Sequence, residues 1–252
     1  MSIPTDSKAF KITIAAADPA VTSLQGVTVK PDIDFEDAHE ELKDYDVLII
    51  PGGSTDNVLK DSSEPIELIK SFAKLQQSDP SRERTLMTIC TGSLFAAQAG
   101  VLAGLAATTH PDYYIKMEKL CQDVALRDAS ERTDVMEERY VVNNARFELG
   151  DNWDENPFIL SKRPKPTERR KSIARKGSNA WKESNTRRES YARRHSLKLG
   201  GLRVITSGGI TTGMDATLYL VAALVSHESA LEVARMLQYG WEKGVVVEGI
   251  DV

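Results

Sequence analysis

The stretch LMTICTGSLFAAQAG, residues 86 to 100, sets a cysteine where the hydrophobic pattern changes period. Leu86, Met87 and Ile89 read as a buried strand, whereas Leu94, Phe95, Ala97 and Leu102 recur at helical spacing. Gly92 and Ser93 suit the tight turn and helix start between them. A cysteine on such a bend stands above the sheet, beside the unpaired N–H groups of the helix start. Those donors and the helix dipole favour the thiolate, which is the nucleophilic form. The backbone N–H of Thr91 is then placed to stabilise an oxyanion formed when the sulfur attacks. Cys90 is therefore a candidate nucleophile. The competing reading is a buried structural cysteine that ends a strand.

Two further stretches carry polar groups suited to the same chemistry. In IIPGGSTDN, residues 49 to 57, an apolar strand runs into Pro-Gly-Gly. Paired glycines there let the backbone turn sharply and present N–H groups to a cleft, although a plain turn explains them as well. In ATTHPDYY, residues 107 to 114, His110 follows a short strand and precedes a helix. A histidine so placed can orient, protonate or deprotonate a substrate near neutral pH. A half-exposed histidine packed on the next loop is the simpler alternative. Cys121 lies on a helix with Lys119, Leu120 and Asp123 and reads as structural. Asp215 reads as a first-turn carboxylate, and Thr212 three residues before it has the shape of a capping box. His227 and Glu228 join two helices in a context that does not suggest a site. No Cys or His cluster has metal-ligand spacing, and no glycine loop reads as a nucleotide site.

These residues need a frame to hold them. The chain has 252 residues, 41% hydrophobic and 6% aromatic, enough for one substantial α/β core. Strand candidates are KITIAAA (11 to 17), DVLII (46 to 50), TLMTIC (85 to 90), LAATT (105 to 109), RYVVN (139 to 143) and LRVITS (202 to 207). Helix candidates are 65 to 77, 93 to 102, 111 to 121, 212 to 226 and 229 to 239, with Ser63 before Glu64 and Pro65 as a helix start. Near-continuous apolar strands alternating with helices imply a largely parallel sheet covered on both faces. Sites in such sheets form at the carboxyl ends of the strands. No apolar run is long enough to span a bilayer, and the first residues lack a secretory pattern. Two cysteines in unlike flanks do not suggest a disulfide framework, so a reducing, cytoplasmic setting is expected.

The net charge of −5 conceals an asymmetry. Residues 161 to 198 hold 14 Lys plus Arg against 3 Glu, a balance of +11, while the remainder carries −16. This gives one domain built from residues 10–150 and 200–250, interrupted by a basic, disordered insert at 151–199. The insert contains RRKS (169 to 172), RRES (187 to 190) and RRHS (193 to 196). A solvated loop accounts for its composition; a segment addressed by a kinase or touching nucleic acid is the sharper reading.

Together the motifs resemble the ThiJ/PfpI family of the class I glutamine-amidotransferase-like fold. IIPGG, ICTGSLFAAQAGVLAG, ATTHPDYY and VITSGGITTGMDATLYLV appear in the family's order. The Cys-Thr-Gly-Ser elbow is most similar to the isonitrile hydratase branch. The resemblance implies a flavodoxin-like three-layer sandwich with a mainly parallel sheet, and a homodimer. It implies Cys90 as nucleophile, the N–H groups of Gly53 and Thr91 as an oxyanion pocket, and His110 lining the cleft. Thr91 stands where the protease-like branch has histidine, which disfavours a peptidase. The family's opening strand and helix, which supply an acid beside the cysteine, are not found before KITIAAA, and Asp18 follows a different strand.

The expected function is cysteine-dependent hydration or hydrolysis of a small electrophile, with no metal or organic cofactor. Glyoxalase or deglycase chemistry on reactive carbonyls is the alternative, as is a non-catalytic redox-sensing or ligand-binding protein. The partners expected are a small-molecule substrate and a second copy of the chain, with no membrane and with nucleic acid only through the insert. For the kinase-addressed reading, a basic-directed Ser/Thr kinase is expected to phosphorylate Ser172, Ser190 and Ser196 in vitro, two negative charges arriving beside each arginine pair. Mass analysis that finds all three unmodified returns the segment to a plain solvated loop.

Overall fold

The computed structural model describes residues 8–23, 26–61, 63–144, 159–160 and 199–247. The three Arg-Arg-x-Ser repeats lie outside the described residues. The chain divides into two compact units, Met1–Tyr45 and Asp46–Val252.

In the first unit, the segment expected as a buried strand at 11 to 17 is not one. Among the described residues it pairs through an isolated parallel bridge between Ala15 and Ile33, flanked by bonds of Ile14 with Asp32 and Ile33. Burying an isoleucine side chain contributes about 1.5–3 kcal/mol. Ile12 is 81% exposed and forgoes most of that, so the apolar pattern here finds no sheet to enter. The unit also holds a short antiparallel hairpin, β1 (Val21–Thr22) and β2 (Thr28–Val29), and helix α1 (Phe35–Glu41). Asp34 caps α1 by accepting the Asp37 N–H at 2.9 Å.

The second unit contains the main sheet. Its strands are β3 (Val47–Ile50), β4 (Thr85–Ile89), β7 (Tyr140–Asn143), β8 (Ile159–Leu160), β9 (Arg203–Ser207) and β10 (Gly244–Val247). They lie in the order β3-β4-β9-β7-β10-β8. Every pairing is parallel except β7 with β9, so two parallel triplets meet at one antiparallel seam. The carboxyl ends of β3, β4 and β9 thus share an edge with the amino end of β7. LAATT does not join this sheet. Its Ala106–Ala107 (β5) pairs in parallel with Asp134–Val135 (β6), and the Asn143 side chain bonds both the N–H and the carbonyl of Ala106. Strand β10, a run of valines, went unread in the sequence.

Helices cover the sheet. They are α2 (Asp56–Asp61), α3 (Ile66–Ser78), α4 (Gly92–Gln98), α5 (Tyr114–Arg127), α6 (Ile210–Leu224) and α7 (His227–Met236). Alternation along the strands sorts the core between two faces. Met87, Tyr140, Val142, Ile205 and Val246 pack with Ala216, Tyr219 and Leu220 of α6, while Val141 and Val245 pack with Ala106 and Met136. No described helix is long and apolar enough to cross a membrane.

Two helix starts differ from the sequence reading. Helix α3 begins at Ile66 and takes its side-chain cap from Glu64, whose carboxylate accepts the Leu68 N–H at 3.1 Å, while the Ser63 carbonyl accepts the Ile66 N–H. Helix α6 begins at Ile210, so Thr212 is inside its first turn and donates to the Gly209 carbonyl. Asp215 is consequently in the second turn and fully buried, not an exposed first-turn carboxylate. Its oxygens accept from Arg139 at 2.8 Å and from the Glu242 N–H at 3.0 Å. One carboxylate therefore ties α6 to the segment before β7 and to the segment before β10. Removing it takes the acceptor from both Arg139 and the Glu242 N–H. Asp215→Ala is expected to lower unfolding stability by roughly 2–3 kcal/mol in denaturant titration, the range for hydrogen bonds to a charged group.

Candidate active site

Strand β4 ends and α4 begins within two residues, and Cys90 takes the corner with φ of 58°. That is the left-handed region, which residues bearing a β-carbon seldom enter and which costs about 1–3 kcal/mol unless the surroundings enforce it. Here four bonds enforce it. The Cys90 N–H donates to the Ser207 carbonyl at 3.0 Å. The Cys90 carbonyl accepts from the Ser93 N–H, from the Ser93 hydroxyl at 3.0 Å and from the Thr109 hydroxyl at 3.3 Å. The side chain of Cys90 remains partly exposed, whereas Cys121 on α5 is buried, and burial pushes its thiol pKa up. Access thus separates the two cysteines in the sense expected from their flanks.

The Pro-Gly-Gly turn after β3 packs directly on this corner. A β-carbon on Gly52 would stand 2.7 Å from Cβ of Cys90 and 2.9 Å from the Thr91 nitrogen, so close approach requires glycine there. The same atom on Gly53 would meet nothing within 4 Å, which places that residue beside open space. The hydroxyl of Thr91 does not cap α4 but turns to Gly53. It accepts the Gly53 N–H at 2.9 Å and donates to the Gly53 carbonyl at 3.0 Å. The Gly53 N–H is therefore engaged in this structure. The Thr91 N–H has no protein partner among the described residues.

His110 stands at the head of a short 3₁₀ turn, Pro111–Tyr113, that leads into α5. Its Nδ1 accepts the Asp112 N–H at 3.3 Å, and its ring meets the Tyr113 ring edge-on at 6.0 Å. With Nδ1 as acceptor, the neutral imidazole carries its proton on Nε2. Thr109, the residue before it, bonds the Cys90 carbonyl, so the His110 turn and the elbow belong to the same end of the sheet. Cys90, Thr91 and Gly53 are joined by direct contacts; His110 is joined through Thr109. His227 begins α7 and has its ring against Trp241 at 5.9 Å.

Several contributors escaped the sequence reading. Gly52 was seen as half of a turn signal, but its packing on Cys90 depends on how two strands lie side by side. Ser207 and Thr109 approach the elbow across 117 and 19 residues of chain, respectively, and no local pattern marks such pairs. Lys116, one turn into α5, reaches the Asp56 carboxylate at 2.6 Å and the Thr55 hydroxyl at 3.3 Å. Lys116 holds the Asp56 carboxyl below its usual pKa. Among the described residues no group of three or more His, Cys, Asp or Glu could hold a metal ion.

The family model for the DJ-1/PfpI family matches residues 6–145. Isonitrile hydratase of Pseudomonas putida is 35% identical over 94 residues, which is 37% of this chain and 36% of that protein. The match thus spans about a third of that curated relative. Among solved structures, an AraC family transcriptional regulator from Pseudomonas putida aligns with a TM-score of 0.51 and 14% identity, covering 92% of this chain and 83% of that one. A THiJ/PfpI family protein from Pseudomonas syringae aligns with a TM-score of 0.47 and 21% identity, covering 91% and 63%. The family match covers more than half of the chain, and so this chain belongs to the DJ-1/PfpI family.

Proposed function

We propose that the chain is a cysteine-dependent hydratase of small electrophiles, of the isonitrile hydratase type, with Cys90 as nucleophile. The observation that carries this reading is the corner itself. A partly exposed thiol sits on a non-glycine residue held at φ of 58°, and four hydrogen bonds from three segments oppose its relaxation. Strain kept at one residue by its surroundings is a mark of functional positions.

The reaction would run in two steps. The sulfur attacks the terminal carbon of the isonitrile, forming the S–C bond, while that carbon gains a proton from the Nε2–H of His110 or from water. The product is a thioimidate, an S–CH=N linkage. Water then adds to the same carbon, the nitrogen is protonated, and the C–S bond breaks to release an N-substituted formamide and the thiol. Negative charge on oxygen develops only in the second step. The Thr91 N–H is free to receive it, and the Gly53 N–H joins once the Thr91 hydroxyl releases it. The 35% identity to isonitrile hydratase over the segment it covers supports this substrate class above the carbonyl substrates of glyoxalase chemistry.

Two outcomes test the reading. Wild type should convert an alkyl isonitrile to its formamide, and Cys90→Ala should lose at least about a thousandfold in kcat, as expected when a covalent nucleophile is removed. Equal turnover by both proteins would sink the proposal, and turnover of methylglyoxal alone would favour the glyoxalase alternative. Gly52→Ala should perturb the same corner from the other side. Its β-carbon must displace Cys90 or the Thr91 nitrogen, so we expect a loss of about 1–3 kcal/mol in stability together with a marked fall in kcat.

A further inference from the structure

We propose that Lys116 is a positioning residue that ties the two walls of the Cys90 cleft together, an inference that rests on the cysteine reading above. One wall is the turn after β3, which carries Gly52 and Gly53 and runs into α2 through Thr55 and Asp56. The other is the turn after β5, which carries Thr109 and His110 and runs into α5 through Tyr113. Each wall has its own hold on the elbow, Gly53 through the Thr91 hydroxyl and Thr109 through the Cys90 carbonyl. Lys116 joins them to each other. Its ammonium lies 2.6 Å from the Asp56 carboxylate and 3.3 Å from the Thr55 hydroxyl, both at the start of α2. The same ammonium is 5.6 Å from the centre of the Tyr113 ring, whose edge meets His110.

The surroundings of this tie decide what it can do. Thr55 is 3% exposed and gives a fixed anchor, while the side chains of Lys116 and Asp56 are 39% and 74% exposed. An ion pair that open is too weak to matter to global stability. It is enough to bias a local equilibrium between a closed and a loosened Gly53 turn by about two- to fivefold. Gly53 is held to the elbow through one side chain, the Thr91 hydroxyl, which bonds both its N–H and its carbonyl, and a β-carbon there would meet nothing within 4 Å. Misplacing an oxyanion donor lowers the rate of the chemical step more than substrate affinity. Lys116 therefore acts on kcat through the Gly53 wall and touches no reacting atom.

The test compares Lys116→Met, which keeps the aliphatic stem, with Lys116→Arg, which keeps the charge, in the full-length protein. Amide hydrogen exchange over residues 52–59 should quicken by about two- to fivefold in Lys116→Met and return in Lys116→Arg, with the thermal midpoint unchanged. Isonitrile turnover should show the same pattern in kcat, with KM altered by less than about twofold, while the rate of Cys90 alkylation by iodoacetamide stays at the wild-type value. Adding Asp56→Asn to Lys116→Met should cost no more than either change alone, since both remove one interaction. Unchanged exchange in Lys116→Met overturns the proposal, as does quickened exchange in a protein whose kcat does not fall. A wild type that turns over no isonitrile refutes the assigned reaction instead, and the tie is then judged on exchange and on the paired substitutions alone.

Discussion

The constraint on which the rest depends is the backbone angle of Cys90. A residue with a β-carbon at φ of 58° relaxes unless its neighbours forbid it, and here the neighbours come from four stretches of chain. Ser207 at the end of β9 accepts its N–H, Ser93 and Thr109 hold its carbonyl, and Gly52 leaves just enough space for its β-carbon. Gly92 adds a further demand, since a β-carbon there would stand 2.8 Å from the Pro51 carbonyl oxygen. The sharp turn is thus a property of three adjoining strands and not of the tetrapeptide Cys-Thr-Gly-Ser alone.

That dependence gives the bond from Arg139 to the buried Asp215 a meaning beyond stability. The Arg139 carbonyl accepts the Gly208 N–H, and Gly208 follows the serine that accepts the Cys90 N–H. The pair therefore pins the end of the antiparallel seam, where β7 begins and β9 ends, one residue from a bond that holds the nucleophile. Packing in the core cluster around Tyr140 and Tyr219 and placement of the thiol are coupled through that seam. A carboxylate in α6 and a thiol at the corner between β4 and α4 answer to the same strand end.

How much was legible beforehand follows the range of the interactions. The strand before Cys90, the helix after it and the longer strands and helices of the second unit announce themselves by period, because burial of each is a local pattern, whereas the short β6 and α2 and the valine run of β10 do not. The helix starts did not. A cap depends on which residue the turn leaves free, so Glu64 served where Ser63 was expected, and Thr212 turned inward with Asp215 below it. The strand pattern at 11 to 17 failed for a different reason. Alternation tells a segment what it can bury but not how much of it the fold will cover, and Ile12 and Ile14 stay exposed. Cys90 and Thr91 were marked by the change of period and Gly53 by a resemblance, and the structure bonds Thr91, the residue after Cys90, to Gly53. Thr109, Ser207 and Lys116 could come only from three dimensions.

The antiparallel seam has one more property. Strands β7 and β9 are paired from Tyr140 with Ser207 at one end to Asn143 with Val204 at the other, so the chain between them departs and returns at the Asn143 end. That end is the sheet's far rim, a full strand length from the thiol. The Asn144 side chain clasps the Leu202 carbonyl across the gap, and Gln76 grips the Gly200 carbonyl as the chain comes back. Two clasps thus hold the chain where it leaves the seam and where it comes back to it. Both clasps lie a strand length from the thiol, so the anchoring of that rim and the placing of the nucleophile are separate tasks of the same sheet.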